Sequence, residues 1–167
     1  MTETANKLTI PYIFSETLRR SGKCGALAFV GEKPLSYEEV FRKIESVISF
    51  LEKNDIKPGD RVAILSTNMP NWGISYYAIT FMGAVVVPIL PDFSSTEIFN
   101  VLVHSGSKAI FFSTSLESRL ENLSDTDVRM KVQIEDFVLS QISGHEIPFA
   151  ENEKPSESIE ETLNKLT

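Results

Sequence analysis

The chain has one cysteine, Cys24, two histidines, His104 and His145, one tryptophan and eight glycines in 167 residues. A lone cysteine closes no internal disulfide, and no activating partner is evident in the sequence, so a half-buried, inert thiol is expected. The histidines have no cysteine or carboxylate at metal-ligand spacing, which makes them structural or solvated groups. The glycines do not gather into a phosphate cradle: neither Gly-x-x-x-x-Gly-Lys-Ser/Thr nor Gly-x-Gly-x-x-Gly occurs. Basic residues are in the minority, 16 against 23 acidic, for a net charge of −7. Without a Lys/Arg patch to displace counterions from phosphates, nucleic acid is not an expected partner. Apolar runs such as Ala84 to Leu90 are far shorter than the roughly 20 residues that span a bilayer. The start, MTETANKLTI, lacks the basic and apolar regions of a secretory signal, so a cytoplasmic setting is expected, with peripheral membrane contact left open.

What is present is ordinary for a globular chain: 42% hydrophobic and 23% charged residues. At this length one domain can bury roughly 70% of its unfolded surface. Residues 1–150 read as that domain. Residues 151–167, rich in Glu, Ser, Asn and Lys and interrupted by Pro155, read as a linker-like acidic tail leading to further chain.

Periodicity supplies the elements. A helix is expected from Ile13 to Arg20, with Ile13, Phe14 and Leu18 on its apolar face, ended by Ser21-Gly22. Ala26–Val30 and Lys33–Ser36 flank Gly31-Glu32, a two-residue turn that predicts a β-hairpin. Ser36 and Glu39 form a capping box for a helix whose apolar positions run Tyr37, Val40, Phe41, Ile44, Val47, Ile48 and Leu51. Asn54 and Pro58-Gly59 end it. Arg61–Leu65 reads as a buried strand. Ser66-Thr67-Asn68 offers caps for a helix entered at Pro70, and Gly83 terminates that helix. Val85–Leu90 is a strand in which Pro88 and Pro91 mark where pairing stops on one side. Ser94 and Glu97 make a second capping box, opening a helix through Ile98, Val101, Leu102 and His104 that Ser105-Gly106 closes. Ala109–Phe112 is a strand, Leu116–Leu123 a helix and Met130–Ile134 a further strand. Strands alternating with helices mean crossover units, so the fold class is α/β with a mostly parallel sheet.

Candidate site residues each have a plainer task. Gly59-Asp60-Arg61 reads as a tight turn, with Asp60 bonding local backbone. Asn68, Pro70 and Trp72 either line a pocket at the carboxyl edge of a strand or cap and pack the next helix, and the sequence favours neither. Asp92 caps the following helix rather than facing a cleft. The aromatic run Trp72, Tyr76, Tyr77, Phe81 is core before it is a stacking surface. No catalytic, cofactor-binding or metal-binding residue is assigned.

The segments Leu35-Ser36-Tyr37-Glu38-Glu39-Val40, Gly59-Asp60-Arg61-Val62-Ala63-Ile64-Leu65, Asn68 to Trp72 and Gly83-Ala84-Val85-Val86-Val87-Pro88 follow one another at a specific spacing. Together they resemble the N-terminal part of the adenylate-forming, AMP-binding enzymes, most of all the long-chain fatty-acid and other acyl-CoA synthetases. Glu97-Ile98, then Val101-Leu102-Val103-His104-Ser105 before Lys108-Ala109-Ile110-Phe111-Phe112, is similar too. The likeness covers Leu35 to Thr114 well and Ile10 to Pro34 loosely.

It implies an acetyl-CoA synthetase-like N-terminal subdomain. It also implies a parent ligase that activates a fatty or other carboxylic acid with ATP to an acyl-adenylate and transfers the acyl group to coenzyme A, with magnesium. The family's phosphate loop, magnesium-binding glutamate, ribose-binding aspartate and catalytic lysine have no counterpart here. Some members place an arginine after the strand equivalent to Val85–Leu90, where this chain has Phe93-Ser94-Ser95. The chain alone is therefore expected to be inactive. The alternative is a non-catalytic binding module, with an exposed apolar face serving a partner or a homodimer. A receiver-like regulator would require acidic groups after strand ends, whereas Asp60 precedes its strand.

Overall fold

The computed structural model of the chain describes residues 9–137 and 139–140. The first helix, α1, is Ile10–Ser21, three residues longer at its start than periodicity suggests, because Thr9 accepts the Tyr12 N–H and Pro11 suits the first turn. Phe14 and Leu18 are buried as expected, but Ile13 faces solvent and Ser15 takes an interior position.

The expected hairpin is shorter than read. β1 is Gly25–Leu27 and β2 is Leu35–Ser36, antiparallel and irregular in register. A turn closed by Glu32 N–H donating to Phe29 C=O, with Gly31 at φ +86°, sits inside a loop from Ala28 to Pro34. Pro34 has no N–H for the ladder, so pairing stops after Leu35.

Helix α2, Tyr37–Lys53, carries the capping box as read: Ser36 Oγ accepts the Glu39 N–H, and the Glu39 carboxylate accepts the Ser36 N–H at 2.7 Å. It leads through a turn with Asp55 at φ +61° and Gly59 at φ +85° into β3, Arg61–Leu65. Then follow α3, Pro70–Phe81, β4, Val85–Ile89, and α4, Ser95–Ser105, with its own capping box from Ser94 and Glu97. After β5, Ala109–Phe112, the expected α-helix at Leu116–Leu123 is instead a 3-10 segment, Thr114–Leu120. Leu116, Leu120 and Leu123 are all buried at helical spacing, which is why the pattern misleads. Ser115 and Ser118 are poor helix formers, and Leu123 lies in the next turn, where its carbonyl accepts the Thr126 N–H. β6, Met130–Gln133, follows, and β7, Leu139–Ser140, lies antiparallel beside it; no sequence signal announced β7.

The sheet order is β4-β3-β5-β6-β7, the first four strands parallel. Strand alternation divides its side chains between two cores. Val62, Ile64, Phe111 and Val132 face α1, α2 and α3, whereas Ala63, Leu65, Ile110 and Phe112 face α4 and the 3-10 segment. The aromatic run on α3 belongs mainly to the first core: Tyr77 and Phe81 meet Phe14 at 5.1 and 5.5 Å, and Phe14 also meets Tyr37. Trp72 stacks on Tyr76 at 5.4 Å, and both are half-buried. Through α3 the chain passes from β3 outward to β4, and through α4 it returns in the opposite direction, past β3, to β5. Right-handed crossovers then require helices on opposite faces, which is how α3 and α4 lie. Among the described residues no helix is long and apolar enough to cross a membrane. The expected tail, 151–167, and His145 lie outside the described residues.

Candidate functional site

Open α/β sheets take ligands at the carboxyl ends of strands, where two neighbouring connections depart in opposite directions. Here that point lies between β3 and β5. The first residues beyond these strands are Ser66 and Ser113, both buried, and their hydroxyls bond each other at 2.7 Å. Ser113 donates to Ser66, and Ser66 donates onward to the Thr67 carbonyl at 2.9 Å. A serine with its proton committed to a carbonyl and no histidine beside it is a tie between strand ends, not a nucleophile.

The rim beside it is also occupied by its own bonds. The Asn71 amide donates at 2.8 Å to both the Ile134 and the Glu135 carbonyls, joining the first turn of α3 to the end of β6. The Glu135 carboxylate accepts the Thr114 N–H at 3.0 Å and the Thr114 hydroxyl at 3.1 Å. On the far side Arg119 donates to the Phe93 carbonyl at 2.8 Å and to that of Pro91, holding the β4–α4 loop.

The opposite, amino-terminal edge carries charge. Asp60 forms a 2.6 Å ion pair with Lys108 at the start of β5 and accepts the Lys57 N–H at 2.9 Å. The Lys108 ammonium, and after it the Lys57 N–H, hold the Asp60 carboxyl below the usual aspartate range. Arg129 reaches the Asp55 carbonyl at 2.6 Å, and Asp55 also pairs with Lys57. These contacts stitch the entry turn of β3 to β5 and β6.

The residues singled out by sequence therefore separate. Asp60 is the turn residue expected, with the Lys108 pair as an addition that 48 positions of separation concealed. Pro70 opens α3, but Ser66-Thr67-Asn68 do not cap it: the cap position falls on Met69, which supplies no side-chain bond. Asn68 and Thr67 are exposed, one and two positions too early to cap. Asp92 is likewise no cap, because Ser94 takes that role and leaves Asp92 exposed. Cys24 is exposed rather than half-buried, and His104 is exposed in the last turn of α4. Sequence reasoning missed Asn71, Thr114 and Glu135, whose partners lie more than 20 positions away.

The groups implied by the resemblance do not fit this rim. Among the described residues no three His, Cys, Asp or Glu side chains gather where they could hold a metal ion. At the rim itself the Asn71 amide is bonded to backbone carbonyls, and the Ser66, Ser113 and Thr114 hydroxyls are each bonded within the protein.

The fold and its switch point define the class: a doubly wound α/β unit with a mainly parallel sheet. Residues 14–164 match the model of the AMP-binding enzyme family, and the chain belongs to that family. It is 27% identical over 128 residues to 3-[(3aS,4S,7aS)-7a-methyl-1,5-dioxo-octahydro-1H-inden-4-yl]propanoyl:CoA ligase of Rhodococcus jostii, covering 74% of this chain and 25% of that protein. It is 31% identical over 90 residues to a long-chain-fatty-acid–CoA ligase of Bacillus subtilis, covering 54% of this chain and 16% of that one. The structure of the anthranilate CoA ligase AuaEII in complex with anthranoyl-AMP superposes on 76% of this chain and 26% of its own, with a TM-score of 0.70 at 16% identity. The chain thus spans about a sixth to a quarter of the length of these relatives.

Proposed function

We propose that this chain is the N-terminal part of the large domain of an acyl-CoA ligase, and that it contributes one α/β wall of that domain and none of its chemistry. The parent would activate a carboxylic acid with ATP, release pyrophosphate, and pass the acyl group to the thiol of coenzyme A. A long-chain fatty acid is the substrate we favour, on the motif likeness and on the similarity to the B. subtilis ligase. The reading rests on one observation: at the switch point, where this fold would take a ligand, the polar groups of Ser66, Ser113, Asn71 and Glu135 are bonded to the protein itself. Alone, the chain would therefore turn over no acid, and its cofactors would be those of the parent.

The coding sequence beyond Thr167 tests this. A Ser/Thr/Gly-rich phosphate loop with a lysine should follow within a few dozen codons, and the longer protein should form acyl-CoA from long-chain acids in preference to aryl or short-chain ones. A stop codon directly after Thr167 would remove the proposal, and a preference for aryl acids would remove its substrate.

A further inference from the structure

The outer strand of the sheet carries a device that neither the family nor the proposed function accounts for. β4 stands at one end of the strand order, with β3 on one side and no described strand on the other. Its register pairs Val85, Val87 and Ile89 with Arg61, Ala63 and Leu65 of β3, and the Val85 N–H donates to the Asp60 carbonyl at 2.8 Å. The N–H and C=O of one residue in a strand point the same way, and successive residues alternate sides. Residues 85, 87 and 89 therefore address β3, and Val86 and Pro88 address the open side. Proline has fallen on the one parity at which its missing N–H leaves the internal ladder intact. One residue earlier or later it would delete a bond to β3.

The open side is otherwise a template for another strand. It bears the Val86 N–H and the Val86 and Pro88 carbonyls, while Val85 and Leu90, exposed by 49% and 62%, add apolar surface at its two ends. We infer that Pro88 closes the outer edge of β4 to strand addition and keeps the sheet from pairing edge to edge with a second copy of this chain. A second copy is the relevant occupant because two β4 edges are self-complementary about a twofold axis and are always present at equal concentration. At the centre of such a pair, Pro88 withholds the donor that an incoming carbonyl needs and sets its ring in that carbonyl's path.

Hydrogen–deuterium exchange on the unmodified chain should find the Val86 amide fast and the Val87 and Ile89 amides slow. In Pro88→Val, sedimentation should show the mass rising from 18.7 kDa towards twice that value with concentration, and the Val86 amide should slow in step. Returning a proline to the same side, as Val86→Pro in the Pro88→Val background, should restore the monomer. A protected Val86 amide in the unmodified chain would overturn the inference. So would a Pro88→Val protein that stays monomeric, or equal self-association of Pro91→Val, whose proline lies beyond the strand. If Pro88→Val does not fold, the Val86 exchange in the unmodified chain decides the matter.

Discussion

Replacing Asn71 tests whether the rim is held by its own hydrogen bonds. The amide makes two bonds of 2.8 Å, one to the carbonyl of buried Ile134 and one to that of exposed Glu135. In Asn71→Ala, water can replace the amide at Glu135, so that bond costs about 0.5–1 kcal/mol. The Ile134 carbonyl is less accessible and would be left partly unsatisfied, at about 1–2 kcal/mol. The sum is about 2 kcal/mol, or roughly 4–8 °C in Tm for a chain of this size. Urea titration followed by tryptophan fluorescence and circular dichroism should show a lower midpoint with an unchanged m-value, which reports stability rather than a new end state.

Asn71→Asp sharpens the test. A carboxylate there faces two carbonyl oxygens and the neighbouring Glu135, so it should destabilise more than alanine at neutral pH, the excess shrinking as acid protonates it. If alanine costs less than about 0.5 kcal/mol, or aspartate is tolerated as well as asparagine, the clasp contributes nothing and the reasoning fails.

Two further perturbations reach other parts of the account. Phe111→Ala removes a fully buried ring from the middle of the sheet, where it packs edge-on against Phe137 at 6.0 Å. It should cost about 3–5 kcal/mol in a denaturant titration. Asp60→Asn removes the Lys108 ion pair. Because the folded state lowers the Asp60 pKa, its stabilisation is present above the ordinary aspartate pKa and is lost as pH falls through the lowered value. The stability gap between the two proteins, followed by thermal melts from pH 7 downward, should hold to about pH 4 and then close.

How much of this was legible in the sequence depends on how local each cause is. Both capping boxes lie within three residues, so Ser36–Glu39 and Ser94–Glu97 were readable and are present. The four parallel strands were readable because β-branched and aromatic runs alternate with helical periods. Pro88 could be placed on the open side of its strand because a proline excludes the alternative. Reading failed where a local signal was overruled. The Gly31-Glu32 turn signal could not extend a ladder through Pro34, and leucines at helical spacing did not make an α-helix of Leu116–Leu123. The rim was illegible for a different reason. Asn71 meets Ile134 and Ser66 meets Ser113 only once parallel crossovers have brought their strand ends together, and no pattern in the intervening residues encodes that meeting. What could be read was which residues lacked a chemical partner nearby in the sequence, and for that reason no catalytic residue was assigned.

The central claim is that this chain is a wall of a ligase and carries none of its catalytic groups. ATP–pyrophosphate exchange on the folded 167-residue chain, with magnesium and a panel of long-chain, short-chain and aryl carboxylic acids, tests it most directly. The account predicts exchange indistinguishable from the no-enzyme background for every acid. Acid-dependent exchange that survives purification to homogeneity, and that tracks the chain's own unfolding, would contradict it.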